Sequence, residues 1–181
     1  MTFPVFSSGE VLRAADMNAV GMWKTAAVTF SGSAGVEVQN CFSADYTNYL
    51  IKMTYFGSNA TNSQFQFMTG TNTIDSFSSY DRWGFYWNNG INGFNQTNNS
   101  SNFAANHFTA AKNYSTVEIT VFQPYVANVN TVCTLHSWSG DSGLATHLDH
   151  SKVSNNQFTG LYFFPTSGTI TGTVTVYGMK N

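Results

Sequence analysis

From Lys24 onward the hydrophobic pattern of this chain repeats every two residues, and that alternation decides what it can fold into. Val36 and Val38 flank Glu37, and Phe65 and Phe67 sit among Gln64, Gln66 and Met68. Val117, Ile119 and Val121 alternate with Glu118 and Thr120, and Ile170, Gly172, Val174 and Val176 alternate with Thr171, Thr173 and Thr175. Successive side chains of a strand point to opposite faces, so this is the pattern of half-buried strands. Segments 132–138 and 158–164 continue it, and 49–56 predicts a strand buried over much of both faces. Gly, Asn and Ser clusters at 31–35, 44–48, 57–63, 140–143 and 165–168 supply turns. About eight to ten short strands with regular turn signals predict an all-β fold: an antiparallel β-sandwich of jelly-roll type.

Composition narrows the reading further. The 181 residues suit one domain, and only 9% are charged, against about 25% in an average soluble domain. One residue in three is Asn, Ser or Thr, so the surface is coated with neutral amides and hydroxyls. Seven basic residues and a net charge of −2 cannot neutralise many phosphates, which argues against nucleic-acid binding. A 16% aromatic content argues against disorder. No window of 18 apolar residues is present to span a membrane, and the opening Met1–Phe6 lacks the features of a secretion signal. Without a secretory context, Cys41 and Cys133 are expected as buried thiols rather than a disulfide.

The first 22 residues break the period. Ser7 and Glu10 have capping-box spacing, and 10–20 predicts a short helix with Val11, Leu12, Ala15, Ala19 and Val20 on its apolar face. So short a helix is marginal alone and must dock on something. Residues 1–22 are therefore expected to form a docking arm and helix, with 23–181 as the sandwich. Phe3, Phe6, Val11, Leu12, Met17 and Val20 are the candidate attachment residues.

Catalytic motifs are weak. Gly140-Asp141-Ser142-Gly143 resembles the nucleophile segment of trypsin-like proteases, but Leu144 follows where a third Gly is needed and no matching His segment precedes it. A tight turn is the simpler reading. His147, Asp149 and His150 suggest a metal patch, yet on a strand 147 and 149 face one way and 150 the other. Zinc wants three or four ligands, so His107 or His136 would have to join them. Glu118 and Glu37 lie on alternating strands outside any recognisable carboxylate pair. No phosphate loop, dinucleotide fingerprint or His-Glu-x-x-His is present. The expectation is a protein that is not an enzyme and carries no cofactor or metal.

The aromatic run 80–87 is the best binding candidate, because flat apolar rings beside neutral amides suit a sugar surface. Trp83, Tyr86, Trp87, Asn88, Asn92 and Asn95 are the candidate ligand or host-surface residues. The competing and simpler expectation is that Trp83, Phe85 and Trp87 form one buried strand face. The following 88–102, which holds seven Asn residues, is expected to be a long irregular loop.

The opening segment, Thr2-Phe3-Pro4-Val5-Phe6 through Gly9-Glu10-Val11-Leu12-Arg13-Ala14-Ala15-Asp16-Met17-Asn18-Ala19-Val20, resembles the start of small structural proteins of tailed bacteriophages. The 42–49 turn, Phe42-Ser43-Ala44-Asp45-Tyr46-Thr47-Asn48-Tyr49, is similar to one in the same group, as is the ending 158–178. The resemblance implies a homotrimeric virion component, attached to other virion proteins through its N-terminal segment. Its leading role would be a tail fibre or appendage, with a host-surface glycan as a candidate contact. A capsid decoration protein is the close alternative, and a carbohydrate-binding or depolymerase domain the second. The family carries no catalytic motif to transfer.

Overall fold

The computed structural model describes residues 21–59, 62–75, 79–88, 91–100, 103–105, 114–140, 144–152 and 156–180. Of the docking arm and helix expected at 1–22, residues 1–20, with Phe3, Phe6, Val11, Leu12, Met17 and Val20, lie outside the described residues, as do His107 and 141–143 of the Gly-Asp-Ser-Gly segment; Met22 already belongs to the first strand. The described chain is all-β, and its antiparallel sheets form a sandwich-like arrangement, as expected. Its strands are β1 (Met22–Ser33), β2 (Val36–Val38), β3 (Asn48–Gly57), β4 (Ser63–Gly70), β5 (Thr73–Ile74), β6 (Tyr80–Asn88), β7 (Ile91–Ser100), β8 (Phe103–Ala105), β9 (Ser115–Phe122), β10 (Thr131–Ser139), β11 (Leu144–Lys152), β12 (Gly160–Pro165) and β13 (Ile170–Met179).

Eight strands make a large sheet in the order β1-β13-β3-β9-β10-β11-β6-β7. A small sheet runs β2-β12-β4-β5, with β8 also paired to β4. The alternation foreseen from the sequence becomes the inner face of each sheet. Ile51, Met53, Val117, Ile119, Val121, Leu135, Val174 and Val176 point inward from the large sheet, against Val36, Val38, Phe65, Phe67, Leu161 and Phe163 of the small one. Aromatic rings fill the middle: Phe67 stacks on Phe158 at 4.6 Å, and Phe42 meets Tyr49 edge-on at 4.7 Å. Tyr49 also pins the 42–49 turn, its hydroxyl donating to the Ser43 carbonyl and accepting from the Ser43 N–H.

Three expectations need correction. Strand β3 is not buried on both faces: Tyr49, Ile51, Met53 and Tyr55 go in, while Lys52 and Thr54 face solvent, since among the described residues no element packs on the outer side of the large sheet. The stretch expected as a loop at 88–102 is mostly strand β7, paired with β6 from Asn88–Ile91 to Tyr80–Ser100. Its Asn-rich sequence has no apolar period of its own; the hydrogen bonds of a ready partner strand impose the conformation. Trp83, Phe85 and Trp87 are not a buried face but an exposed one.

The inner face changes character toward β11 and β6. There Lys152 and Asp75 are both fully buried, with Lys152 Nζ 3.2 Å from Asp75 Oδ2. The ammonium also reaches Ser79 Oγ and lies 4.1 Å from the centre of the Tyr80 ring. Tyr80 itself accepts from the Phe67 N–H and donates to the Asp75 carbonyl. Burial pulls the Lys152 pKa below the ordinary lysine value, and Asp75 pulls it back up. A buried pair is costly to break, since the surviving charge is left without its counterion. Asp75→Ala is expected to lower unfolding stability by about 3–5 kcal/mol, read from the urea midpoint at constant m-value. Asp75→Leu combined with Lys152→Met should lose less than Asp75→Ala alone. A double variant as unstable as the single would show that the pair matters for something other than its buried charge.

Candidate functional site

The outer face of the large sheet is built by register. Pairing places Thr116, Trp138, Ala145 and Trp87 in one row across β9, β10, β11 and β6. The next row holds Lys52, Glu118, His136, His147, Phe85 and Phe94, from β3 to β7. A third carries Thr120, Thr134, Asp149, Trp83 and Gln96. Because side chains alternate along each strand, all of these occupy one face.

Five aromatic side chains on that face are about half open to solvent: Trp83 (56%), Phe85 (55%), Trp87 (49%), Phe94 (59%) and Trp138 (54%). Phe85 and Phe94 meet edge-on at 5.6 Å. Two hollows flank Trp138 and Trp87. One, of about 450 Å³, is lined by Lys52, Thr54, Thr116, Glu118, His136 and Trp138 with Met53, Val117 and Ser137. The other, of about 360 Å³, is lined by Phe85, Trp87 and Phe94 with Tyr86 and Gly93.

Titratable groups run through the middle row. Lys52 Nζ lies 3.3 Å from Glu118 Oε2. His136 Nε2 and His147 Nδ1 are 2.5 Å apart, so one ring donates and the other accepts. His147 Nε2 is 3.7 Å from Asp149 Oδ1. His147 and Asp149 thus share a face as expected, and His136 joins them. His150 faces the opposite way, as expected, and that side is the buried one. The two imidazoles bond each other directly; nitrogens that each sat about 2 Å from one zinc ion would stand further apart than this. Among the described residues no group of three or more His, Cys, Asp or Glu is placed to hold a metal ion.

The sequence-predicted binding residues divide. Trp83 and Trp87 lie on the outer face. Tyr86 does not: it pairs with Thr146, on the inward-pointing side of β11, and its ring covers Gly93, where a Cβ would collide with it. Asn88, Asn92 and Asn95 are strand residues rather than loop residues, in register with Ile91, Trp87 and Gly84. Sequence reasoning missed Trp138, Phe94 and His136 as partners of the aromatic strand, since only the β10-β11-β6-β7 pairing brings them together. Gly84 makes that pairing tight, because a Cβ there would strike the His147 carbonyl and lie 2.7 Å from Leu148 Cα.

Beneath Trp83 and Asp149 a further hollow of about 200 Å³ reaches Arg82 and His150. His150 is buried beside the Phe65 ring, across from Cys133 on β10 and Arg82 on β6. Burial, helped by the Arg82 charge, pushes its pKa down to about 3. Burial also raises the Cys41 thiol to about 12 and the Cys133 thiol further still, so neither is a ready nucleophile. Both are free and buried, as expected.

No protein-family model and no curated protein matches the chain. Among solved structures it is similar to alginate lyase Aly36B, at 11% identity over 96% of this chain and 92% of that one, with a TM-score of 0.29. It is also similar to a variant of that lyase in complex with alginate tetrasaccharide, at 10% identity over 78% of this chain and 72% of that one, again with a TM-score of 0.29. Likeness at that level carries no argument about fold or activity.

The buried imidazole gives a pH prediction. In the unfolded chain His150 takes a proton near its ordinary pKa of 6.5, while in the folded protein it stays neutral until about pH 3. Acid therefore favours the unfolded state: the contribution is complete above pH 6.5 and is lost as pH falls toward 3. At roughly 1.4 kcal/mol per pH unit the loss amounts to several kcal/mol. Urea unfolding of the wild type against His150→Leu, from pH 7 to 4, should show a steeper decline in the wild type. Parallel curves would refute the assignment.

Proposed function

We propose that the chain is a structural protein of a tailed-bacteriophage virion: a homotrimeric fibre or appendage component, anchored through residues 1–22, that meets the host surface with the outer face of its large sheet. The observation that carries this reading is the set of five half-exposed aromatic side chains on one open sheet face. Contiguous exposed apolar surface of this kind marks an interaction site. The resemblance of segments 2–20, 42–49 and 158–178 to phage virion proteins supports the class.

The layout of the sheet favours an appendage over a capsid decoration protein. The chain enters β1 at Met22, at one edge of the large sheet, while β6 and β7 form the other edge. Seven strand spacings of about 4.8 Å separate those edges by roughly 34 Å. An anchor in the segment that leads into β1 and a contact face toward β6 and β7 would suit a projecting component. A cement protein would spend its apolar surface on the side that meets the capsid.

Immunogold labelling of virions is expected to mark the tail or its appendages. Head labelling, with capsids that weaken when the protein is deleted while host adsorption persists, would shift the reading to decoration. The chain lacking residues 1–22 is expected to fold, by circular dichroism and a cooperative melt, yet fail to join virions. Incorporation of that truncated chain would refute the anchor. Release of sugar from host polysaccharide by the purified protein would overturn the non-enzymatic reading.

A further inference from the structure

We infer that the outer face of the large sheet, between Trp138 on β10 and the Trp83–Trp87 strand β6, is a binding site for a neutral oligosaccharide lying along β11. The inference deepens the surface contact proposed above and rests on that reading of the face.

The shape comes from the register. Strand β11 presents Ala145, His147 and Asp149 to this face, all smaller than the rings beside them. Trp138 stands on one side, paired with Ala145, and Trp87 stands on the other, paired with the same residue. Two strand spacings put Trp138 and Trp87 about 10 Å apart, and four residues put Trp83 and Trp87 about 13 Å apart. The result is a shallow trough with aromatic sides and a small, polar floor, on the scale of a few linked sugar rings.

The chemistry comes from what interrupts the rings. A pyranose offers an apolar C–H face to stack on an aromatic ring, and a rim of hydroxyls that both donate and accept. The trough supplies the rings, and beside them two carboxylates, two imidazoles and the Thr134 hydroxyl. Apolar platforms with a few placed polar groups are the usual make-up of a small-ligand site. The charges are one lysine against two carboxylates, with Lys52 already held by Glu118. This balance gives no attraction to a polyanion, so the ligand it fits is an uncharged glycan.

The same charges argue against the other occupants. A second copy packed face to face would bury Lys52, Glu118, His147 and Asp149, each about half exposed, at the centre of the contact. Interface cores are depleted in charged residues. A single-stranded nucleic acid also stacks on aromatic platforms, but it needs a positively charged groove to follow its backbone. A sugar leaves the charged groups wet at the edge, where they hydrogen-bond its hydroxyls.

The test is calorimetry of the full chain against hexasaccharides of glucose, galactose, mannose and N-acetylglucosamine, with a polyuronate hexasaccharide as the acidic counterpart. At least one neutral hexasaccharide is expected to bind, and Trp87→Ala and Trp138→Ala should each weaken it by tenfold or more. Both side chains are half exposed, so the melts of the two variants should match the wild type. Tyr114→Ala, exposed outside the trough, should bind normally. Absence of binding to every neutral sugar, or preference for the uronate, would overturn the inference. So would self-association, dimeric or trimeric, that analytical ultracentrifugation shows either Trp variant to abolish, because the face would then belong to another copy. None of these outcomes depends on where the protein sits in a virion, and labelling on virions does not depend on them, so the two readings fail separately.

Discussion

The aromatic end of the molecule depends on a charge pair buried between its two sheets. Apolar packing joins the sheets over β13, β3, β9 and β10, where valines, isoleucines and phenylalanines interlock. Toward β11 and β6 the inner face turns polar, with Lys152, His150 and Arg82 in place of aliphatic residues. The large sheet is held there by Lys152 on Asp75, by Tyr80 bonding both Phe67 and Asp75, and by His150 against Phe65. Hydrophobic residues of the same volume would stabilise that region at least as well, because desolvating two charges offsets most of their attraction. The polar set has the different property of being directional. It accepts one placement of β6 and β11 relative to β4, and with it one arrangement of the residues on their far side.

That placement matters because every second residue of β6 and β11 belongs to the outer face. Arg82 and Gly84 point in; Trp83, Phe85 and Trp87 point out. A shift of one residue in register would exchange the two sets, driving the tryptophans inward and the arginine outward. Gly84 tightens the constraint, since it admits the β11 backbone where a side chain would be refused. The inner contacts at Lys152, Tyr80 and Gly84 therefore set the geometry of the trough, although none of them lines it.

How much of this was legible in the sequence follows from which signals are local. The alternation of Val117, Ile119 and Val121, or of Val174 and Val176, is a property of a few neighbouring residues, and the sandwich could be read from it. The opposite facing of His147 and Asp149 against His150 was readable for the same reason. Strand β7 was not, because Asn, Gln and Thr carry no apolar period and pair only when a partner strand is present. The Asn89-Gly90 dipeptide, a common hairpin sequence between two strands, was the available signal. The aromatic strand misled in another way. Trp83, Phe85 and Trp87 alternate as a core face does, and period alone cannot say which of two faces a second sheet will cover. Arg82, Gly84 and Tyr86 look like the solvent side, yet Arg82 is the buried residue. Trp138 and His136 lie about 50 residues from that strand, and only sheet order brings them to it.

The scarcity of charge sharpens what the outer face means. The chain has seven basic residues, nine acidic ones and four histidines. In most soluble proteins charged side chains are scattered over the surface and keep molecules apart. Here Lys52, Glu118, His136, His147 and Asp149 occupy neighbouring positions on four adjacent strands, side by side with the largest exposed rings. Solubility does not require that clustering, since Asn, Ser and Thr already make the remaining surface polar. Stability does not require it either, because exposed pairs such as Lys52–Glu118 contribute little. Recognition does: a ligand that stacks on rings and hydrogen-bonds along its rim needs donors and acceptors within a side chain's length of the aromatic surface. A chain that uses neutral residues nearly everywhere, yet sets five of its twenty charged or histidine side chains beside its exposed tryptophans, has gathered polar chemistry on that face.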